Sequence, residues 1–290
     1  MTFEFWRLRF HFHAQQALVF PPGKAANVLR GAFGMMLRET ASPAAYGRIF
    51  APVASGEGVP SGPSGLADRP RPFVFRAAHL DGKTIPAGSS FHFDMHLFDV
   101  KHPASPAFEE AYARLAKTGL GPGRGRATLI SVGKEHFAIP LDGPADIAAR
   151  VRVTFLTPTE LKSRDLQSCD REGAVRPEFS ILFARLRDRI STLRALYGHG
   201  PLEIDFHGMG ERAALVRLTS CDLKWHATER RSSRTGQTHP LGGFSGQVEY
   251  KAEYDGGLAE FLPYLRVGQW TGVGRQTVWG KGEICFQLCS

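Results

Sequence analysis

His11 and His13 stand in the run "FWRLRFHFH", where alternation sets them on one face with Arg7 and Arg9 and sets Trp6, Leu8, Phe10 and Phe12 on the other. Imidazole titrates near neutral pH, so two of them beside cations could take and give protons on an anionic substrate. A histidine on a solvent-facing strand is also, more plainly, a tolerated polar residue. Toward the other end, "VGQWTGVGRQTVWGKGEI" gathers Gly268, Gly272, Gly274, Gly280 and Gly282 around Arg275, Lys281, Trp270 and Trp279. Backbone free of side chains can approach an anion closely, and two indoles offer stacking surfaces, which suits RNA or DNA. The alternative is a loop that turns a corner between helix and strand.

Nucleotide motifs fail on spacing. A Walker loop needs four residues between its first glycine and the Gly-Lys pair, then Ser or Thr. Gly274 and Gly280 are separated by five residues, and Gly282 follows Lys281. A dinucleotide fingerprint beginning at Gly272 meets Thr277 where its third glycine belongs.

These groups need a scaffold, and the composition provides for one. With 290 residues, 42% hydrophobic and 11% aromatic, the chain can fold around one large core or two ordinary ones. A net charge of +8 favours an acidic partner. Cys169, Cys221, Cys285 and Cys289 form no CxxC pair and read as reduced thiols, so no metal site and no cofactor are expected. The N-terminal run is strand-like rather than a signal peptide, and no segment approaches the roughly 20 apolar residues of a membrane span. A soluble cytoplasmic protein is the expectation.

After the first strand, a helix is expected from about Lys24 to Glu39, with Arg30 and Arg38 on its polar side and Gly31 and Gly34 hinting at a close neighbour. Residues 51–72 read as a mobile Gly/Pro/Ser/Ala loop. Two strands ("PFVFRAAHL", "SSFHFDMHLF"), a helix ("PAFEEAYARLAKTG") and a glycine-rich turn carrying Arg124 and Arg126 into a strand complete a β-α-β-β-α-β order. The second half repeats it. A strand ends at Thr157-Pro158, and a helix runs from Pro177 to Tyr197. Strands "AALVRLTSCDLKWHA" and "GGFSGQVEYKAEY" follow, then a helix "GLAEFLPYLRV", the glycine loop and the strand "EICFQL". The fold class is therefore α+β, two tandem ferredoxin-like (RRM-like) domains, 1–144 and 145–290, split near Pro144.

Two basic stretches belong to the second half. Arg185, Arg187, Arg189 and Arg194 lie on its first helix and Arg164, Arg171 and Arg176 in the connection before it. Together they resemble a phosphate-binding arm, although single guanidinium groups often snorkel beside an apolar stripe. Lys224, Arg230, Arg231 and Arg234 should lie on a hairpin tip.

The segments "LRGAFGMML", "YGRIFAP", "RPFVF", "PAGSSFHFDMHLF", "TGLGPGRGRATLISV", "TFLTPTELK" and "FLPYLRVGQWTGVGRQTVWGKGEI" follow one another along nearly the whole chain. In that order they resemble the CRISPR-associated endoribonucleases of the RAMP superfamily that process precursor crRNA. The resemblance implies two ferredoxin-like domains, a glycine-rich loop shaping an RNA groove, a basic hairpin on the repeat's stem, and metal-independent cleavage of CRISPR repeat RNA. There are departures: "SPAAYGRIF" lacks the cysteine cluster of many relatives, and no histidine lies between Ala14 and Ala78, where such relatives usually carry the general base.

Metal-free cleavage uses the ribose 2′-OH as nucleophile and requires proton removal, charge stabilisation and protonation of the leaving oxygen. His13, then His11, are the candidates for acid or base, with Arg30, Arg38, Lys24 and Tyr46 as groups that could clamp the phosphate. The RNA-binding candidates are the cations already named, with Gly272, Gly274, Arg275, Gly280 and Lys281. A catalytically silent RNA-binding subunit of a CRISPR effector complex, working with other effector subunits, is the rival reading.

Overall fold

The computed structural model describes residues 1–50, 52, 69–142, 146–161, 176–227, 229–231, 238–240, 242–253 and 256–289. The expected loop at 51–72 lies almost wholly outside the described residues, as do Pro144, Arg164, Arg171, Cys169 and Arg234.

The first half contains β1 (Thr2–Ala14), β2 (Leu18–Val19), α1 (Ala25–Thr40), α2 (Pro43–Ile49), β3 (Phe73–Arg76), a 3-10 turn (Ala78–Leu80), β4 (Thr84–Ile85), β5 (Ser90–Leu97), α3 (Ser105–Thr118) and β6 (Ala127–Pro140). The second contains β7 (Arg150–Thr159), α4 (Phe179–Tyr197), α5 (Phe206–Ala214), β8 (Arg217–His226), β9 (Glu229–Arg231), β10 (Thr238–Pro240), β11 (Gly243–Lys251), α6 (Leu262–Thr271), a 3-10 turn (Thr277–Trp279) and β12 (Ile284–Cys289).

Each half has an antiparallel four-stranded sheet, ordered β3-β5-β1-β6 and β12-β7-β11-β8. In both, the first and third strands lie side by side at the centre, which is the ferredoxin-like order twice over. β2 and β4 form a small separate ribbon, and β9 pairs with β10.

Alternation in β1 builds two interfaces. Leu8, Phe10 and Phe12 face Met95, Phe93 and Phe91 of β5 and bury beneath α1 and α3, where Leu29, Phe33, Phe108 and Tyr112 pack on them. Phe3 and Phe5 point to the opposite face and join the core of the second half, among Leu182, Leu186 and Trp270. Fully burying a side chain of this kind contributes roughly 1.5–3 kcal/mol, so the two sheets are joined hydrophobically at one end of β1. The face expected to be open and cationic is thus covered over its first third.

Of the two helical glycines read as a hint of close packing, only Gly34 has a near neighbour. A Cβ there would fall 2.2 Å from the Phe50 ring, whereas nothing lies within 4 Å at Gly31. Several elements depart from the sequence reading. α2, the β2–β4 ribbon and α5 were not anticipated, and α5 takes Ala213 and Ala214 out of the expected strand. α6 starts at Leu262 and continues through Gly268 to Thr271, so the first turns of the supposed glycine loop are helical. Gly268 is there because a Cβ would lie 2.7 Å from Leu186 Cδ2 of α4. No described helix is long and apolar enough to cross a membrane.

Candidate nucleic-acid interface

The carbonyls that end α6 carry the negative end of the helix dipole and point at the first half. Arg76 Nη2 donates to Gln269 O and Trp270 O, both at 3.0 Å, and His96 Nδ1 donates to Trp270 O at 2.8 Å. From α4, Arg189 Nε donates to Thr271 O at 3.2 Å. Burial, with Arg76 nearby, pushes His96 down to about 3, so its ring is neutral and Nδ1 carries the proton. Burial likewise brings Arg189 down to about 9 and lowers Arg76, whose nearest carboxylate, Glu283, is 3.9 Å away. Trp270 itself sits among Phe5, Phe137 and His96 at centroid distances of 5.0, 4.9 and 5.1 Å. The indole expected to offer a stacking surface is a plug between the halves.

The loop that follows is closed against the protein. Gly272, Gly274, Gly280 and Gly282 all have positive φ, between 70° and 82°. A Cβ at Gly282 would lie 2.0 Å from Val273 O, at Gly274 2.3 Å from Glu160 O, and at Gly280 2.4 Å from Ala26 Cβ of α1. Gly274 and Gly282 let main chain meet main chain, and Gly280 lets the loop sit against α1, instead of cradling an outside anion. Arg275 is exposed but ion-paired with Glu160 at 2.7 Å, while Lys281 is buried and lowered by that burial. Arg30, expected on a solvated helix face, is 7% exposed and lies over Phe50 at 4.9 Å and Trp279 at 5.2 Å. Tyr46 stacks on the same Phe50 at 5.5 Å.

The arginine-rich helix is also turned inward. Arg187 donates from Nη1 to Phe206 O at 2.6 Å and pairs with Asp188 at 3.0 Å; Arg194, 8% exposed, donates to Thr2 O and to Gly200 O. Arg185 is half-buried and Arg176, ahead of the helix, exposed. Because α4 packs against α5 and α6 and reaches β1, its polar positions meet main-chain oxygens of neighbouring elements. As they stand, Arg187, Arg189 and Arg194 are structural rather than a free phosphate arm.

What remains open is the far end of the first sheet. There Arg7 donates from Nη2 to both oxygens of Glu135 (2.7 and 2.7 Å), and Arg9 forms a bidentate pair with Asp94 through Nε and Nη2 (2.7 and 2.9 Å). Beyond them His11 and His13 are exposed, opposite His92 and Ser90 of β5. Arg124 and Arg126 are exposed on the glycine-rich turn beside this end: Gln15 N and Gln16 N donate to Arg126 O, and Gly125 passes so close that a Cβ would sit 2.4 Å from Ala17 O. Lys24 is exposed at the N-terminus of α1, whose first amide, Ala25 N, donates to Asp81 Oδ1 at 2.7 Å. Burial raises Asp81 against the pull of that amide. Arg38 is exposed on α1. Arg30, Arg38 and Tyr46 belong to helices packed on the other face of the sheet, so the structure does not unite them with His11 and His13.

Sequence reasoning passed over His79 and His92. His92, Asp94 and His96 alternate in "FHFDMHLF", and pairing that run antiparallel to the first strand would have set His92 beside His11. Trp225 was also missed; it is 53% exposed next to exposed Lys224 on the edge strand β8. Arg230 and Arg231 lie on β9.

Residues 153–284 match the family model described as CRISPR-associated endoribonuclease Cas6, and residues 3–141 match a model described as an N-terminal domain. No curated protein sequence matches. Among solved structures, a Thermus thermophilus Cas6 in a product complex aligns with TM-score 0.59 at 17% identity, covering 98% of this chain and 99% of that one. A Cas6 in a substrate mimic complex aligns with TM-score 0.54 at 17% identity, covering 98% and 100%. A partial Cas6-RT-Cas1–Cas2 complex aligns with TM-score 0.58 at 11% identity, covering 99% of this chain and 46% of that one. At these identities the structures establish a shared fold.

Proposed function

Residues 153–284 match the Cas6 family of CRISPR-associated endoribonucleases, and we propose that this chain is one of that kind, binding CRISPR repeat hairpins and cleaving precursor crRNA by metal-independent attack of a ribose 2′-OH. The family match is the observation that carries this reading, and the tandem sheet order agrees with it. We take 1–144 and 145–290 as its two working units.

Exposed cations supply the phosphate contacts, Arg124 and Arg126 at the open end of the first sheet, Lys24 at the start of α1 and Lys224 on β8, and Trp225 beside Lys224 adds an exposed indole. A-form stems are gripped through phosphates and shape, and an exposed indole stacks on an unpaired base. Exposed imidazoles, His11 and His13 among them, lie at the same end of the sheet and are able to move protons. In the reaction the 2′-oxygen attacks phosphorus in line, the bond to the 5′-oxygen breaks, and a 2′,3′-cyclic phosphate and a 5′-OH result. The fixed seam at α6 holds the two sheets in one geometry, which such alignment needs.

End-group analysis of the products tests this reading. A cyclic phosphate upstream and a free 5′-OH downstream are expected, whereas a 3′-OH with a 5′-phosphate would overturn the mechanism. Tight binding of repeat RNA with no cut would favour the silent effector subunit, a reading suggested by the lack of any histidine in α1.

A further inference from the structure

Three imidazoles form a row across the open end of the first sheet. β1 and β5 set His11 opposite His92, with ring centroids 5.7 Å apart. His79, on the 3-10 turn after β3, stacks on His92 at 4.8 Å with 26° between the planes. His79 Nε2 lies 2.8 Å from the main-chain oxygen of His92. A carbonyl only accepts, so Nε2 carries a proton and Nδ1 is the nitrogen left for proton exchange. That bond persists whether the ring is neutral or protonated, so the ring keeps its aim through a transfer. The turn is itself pinned, because Asp81, two residues on, accepts from the first amide of α1.

This row is not a ligand set. Among the described residues no three His, Cys, Asp or Glu side chains converge as metal ligands. Nor is it core packing, since His11 and His79 are exposed and His92 is half-buried. The stacked rings of His92 and His79 set two proton-transferring groups side by side on an open surface, the arrangement that concerted acid–base chemistry needs.

We propose, resting on the endoribonuclease reading above, that His92 and His79 are the acid–base pair of RNA cleavage, with His11 donating to a non-bridging phosphate oxygen from the other side of His92. His92 takes the proton of the 2′-OH as the 2′-oxygen bonds to phosphorus. His79 gives a proton to the 5′-oxygen as its bond to phosphorus breaks. One ring gains a proton and the other loses one, so the row's net charge is unchanged, and release of a proton from His92 with uptake of one by His79 restores the starting state. The direction follows from surroundings: burial, then His79 and Arg9, hold His92 below the ordinary imidazole range, with Asp94 opposing and His11 adding to the effect. His92 is therefore the ring that is neutral and able to accept.

The test is single-turnover cleavage of repeat RNA by the full chain and by His92→Gln and His79→Gln, with RNA affinity and melting temperature measured alongside. Each variant should lose about 100-fold or more in rate while binding RNA and melting like the parent. The decisive substrate carries sulfur in place of the bridging 5′-oxygen, a leaving group that departs without protonation. It should restore His79→Gln to the parent's rate on that substrate and leave His92→Gln slow. The acidic limb of the pH–rate profile should vanish in His92→Gln alone. His11→Gln, which alters neither proton-transfer group, should lose about 10-fold and keep both limbs. Cleavage at the parental rate by His92→Gln or His79→Gln, or equal rescue of both by sulfur, overturns the assignment. Failure of the parent itself to cut overturns the endoribonuclease reading instead.

Discussion

His96 in β5 donates from Nδ1 to the main-chain oxygen of Trp270 at the end of α6, 2.8 Å away and across the seam between the two halves. The same oxygen accepts from Arg76, so the helix end is capped by two groups of the opposite sheet. This cap, with Trp270 inserted beside Phe5 and Phe137, fixes the halves relative to one another.

The seam should weaken in mild acid. Burial pushes His96 down to about 3 from its ordinary 6.5, so its contribution is complete above about pH 6.5 and is lost as pH falls toward 3. Over that window this group should cost up to about 1.4 kcal/mol of stability per pH unit. Denaturant melts between pH 7 and pH 4.5 should show the slope, and His96→Asn, which retains a donor but no titration, should flatten it. An unchanged slope in the variant would place the effect elsewhere.

Glycines in this chain carry opposite predictions. Gly282→Ala meets Val273 O at 2.0 Å with φ +70°, so it should destabilise by at least about 2 kcal/mol. Gly31→Ala, mid-helix with nothing within 4 Å, should stabilise by about 0.5–1 kcal/mol. Thermal melts of the two variants check both signs.

Arginines divide in the same way. Arg189→Ala should lower stability and leave the salt dependence of RNA binding unchanged, because its Nε is committed to Thr271 O. Arg126→Ala should bind RNA more weakly across sequences and reduce the slope of log affinity against log salt by about 0.7–0.9. Trp225→Ala should cost about 1–3 kcal/mol of affinity if its exposed indole stacks on a base. Binding isotherms over a salt series separate the three.

The elements were largely legible in the sequence because period-2 and period-3.6 patterns record which face is buried: β1, α1, α3, α4 and both sheets follow from them. The destinations of polar groups were not. Arg187, Arg189 and Arg194 look like a cationic arm until the folded chain brings the main-chain oxygens of Phe206, Thr271 and Thr2 to them, and nothing local encodes those partners. The glycine run misled for a related reason, since small residues permit close approach by the chain's own backbone as readily as by a phosphate. α5 is short, with Gly208 and Gly210 diluting its pattern, and is started by Asp205, which accepts from Gly208 N at 2.9 Å. His79 and His92 became visible only when strand pairing set His92 beside His11 and the turn after β3 folded His79 back onto it.

Metal-independent attack by the 2′-OH is tested by incubating the full chain with labelled cognate repeat RNA in EDTA, beside a copy lacking the 2′-OH at the cut site. Cleavage of the first and survival of the second is the predicted result. Cleavage of both, or cleavage that appears only when divalent metal is restored, would contradict the account.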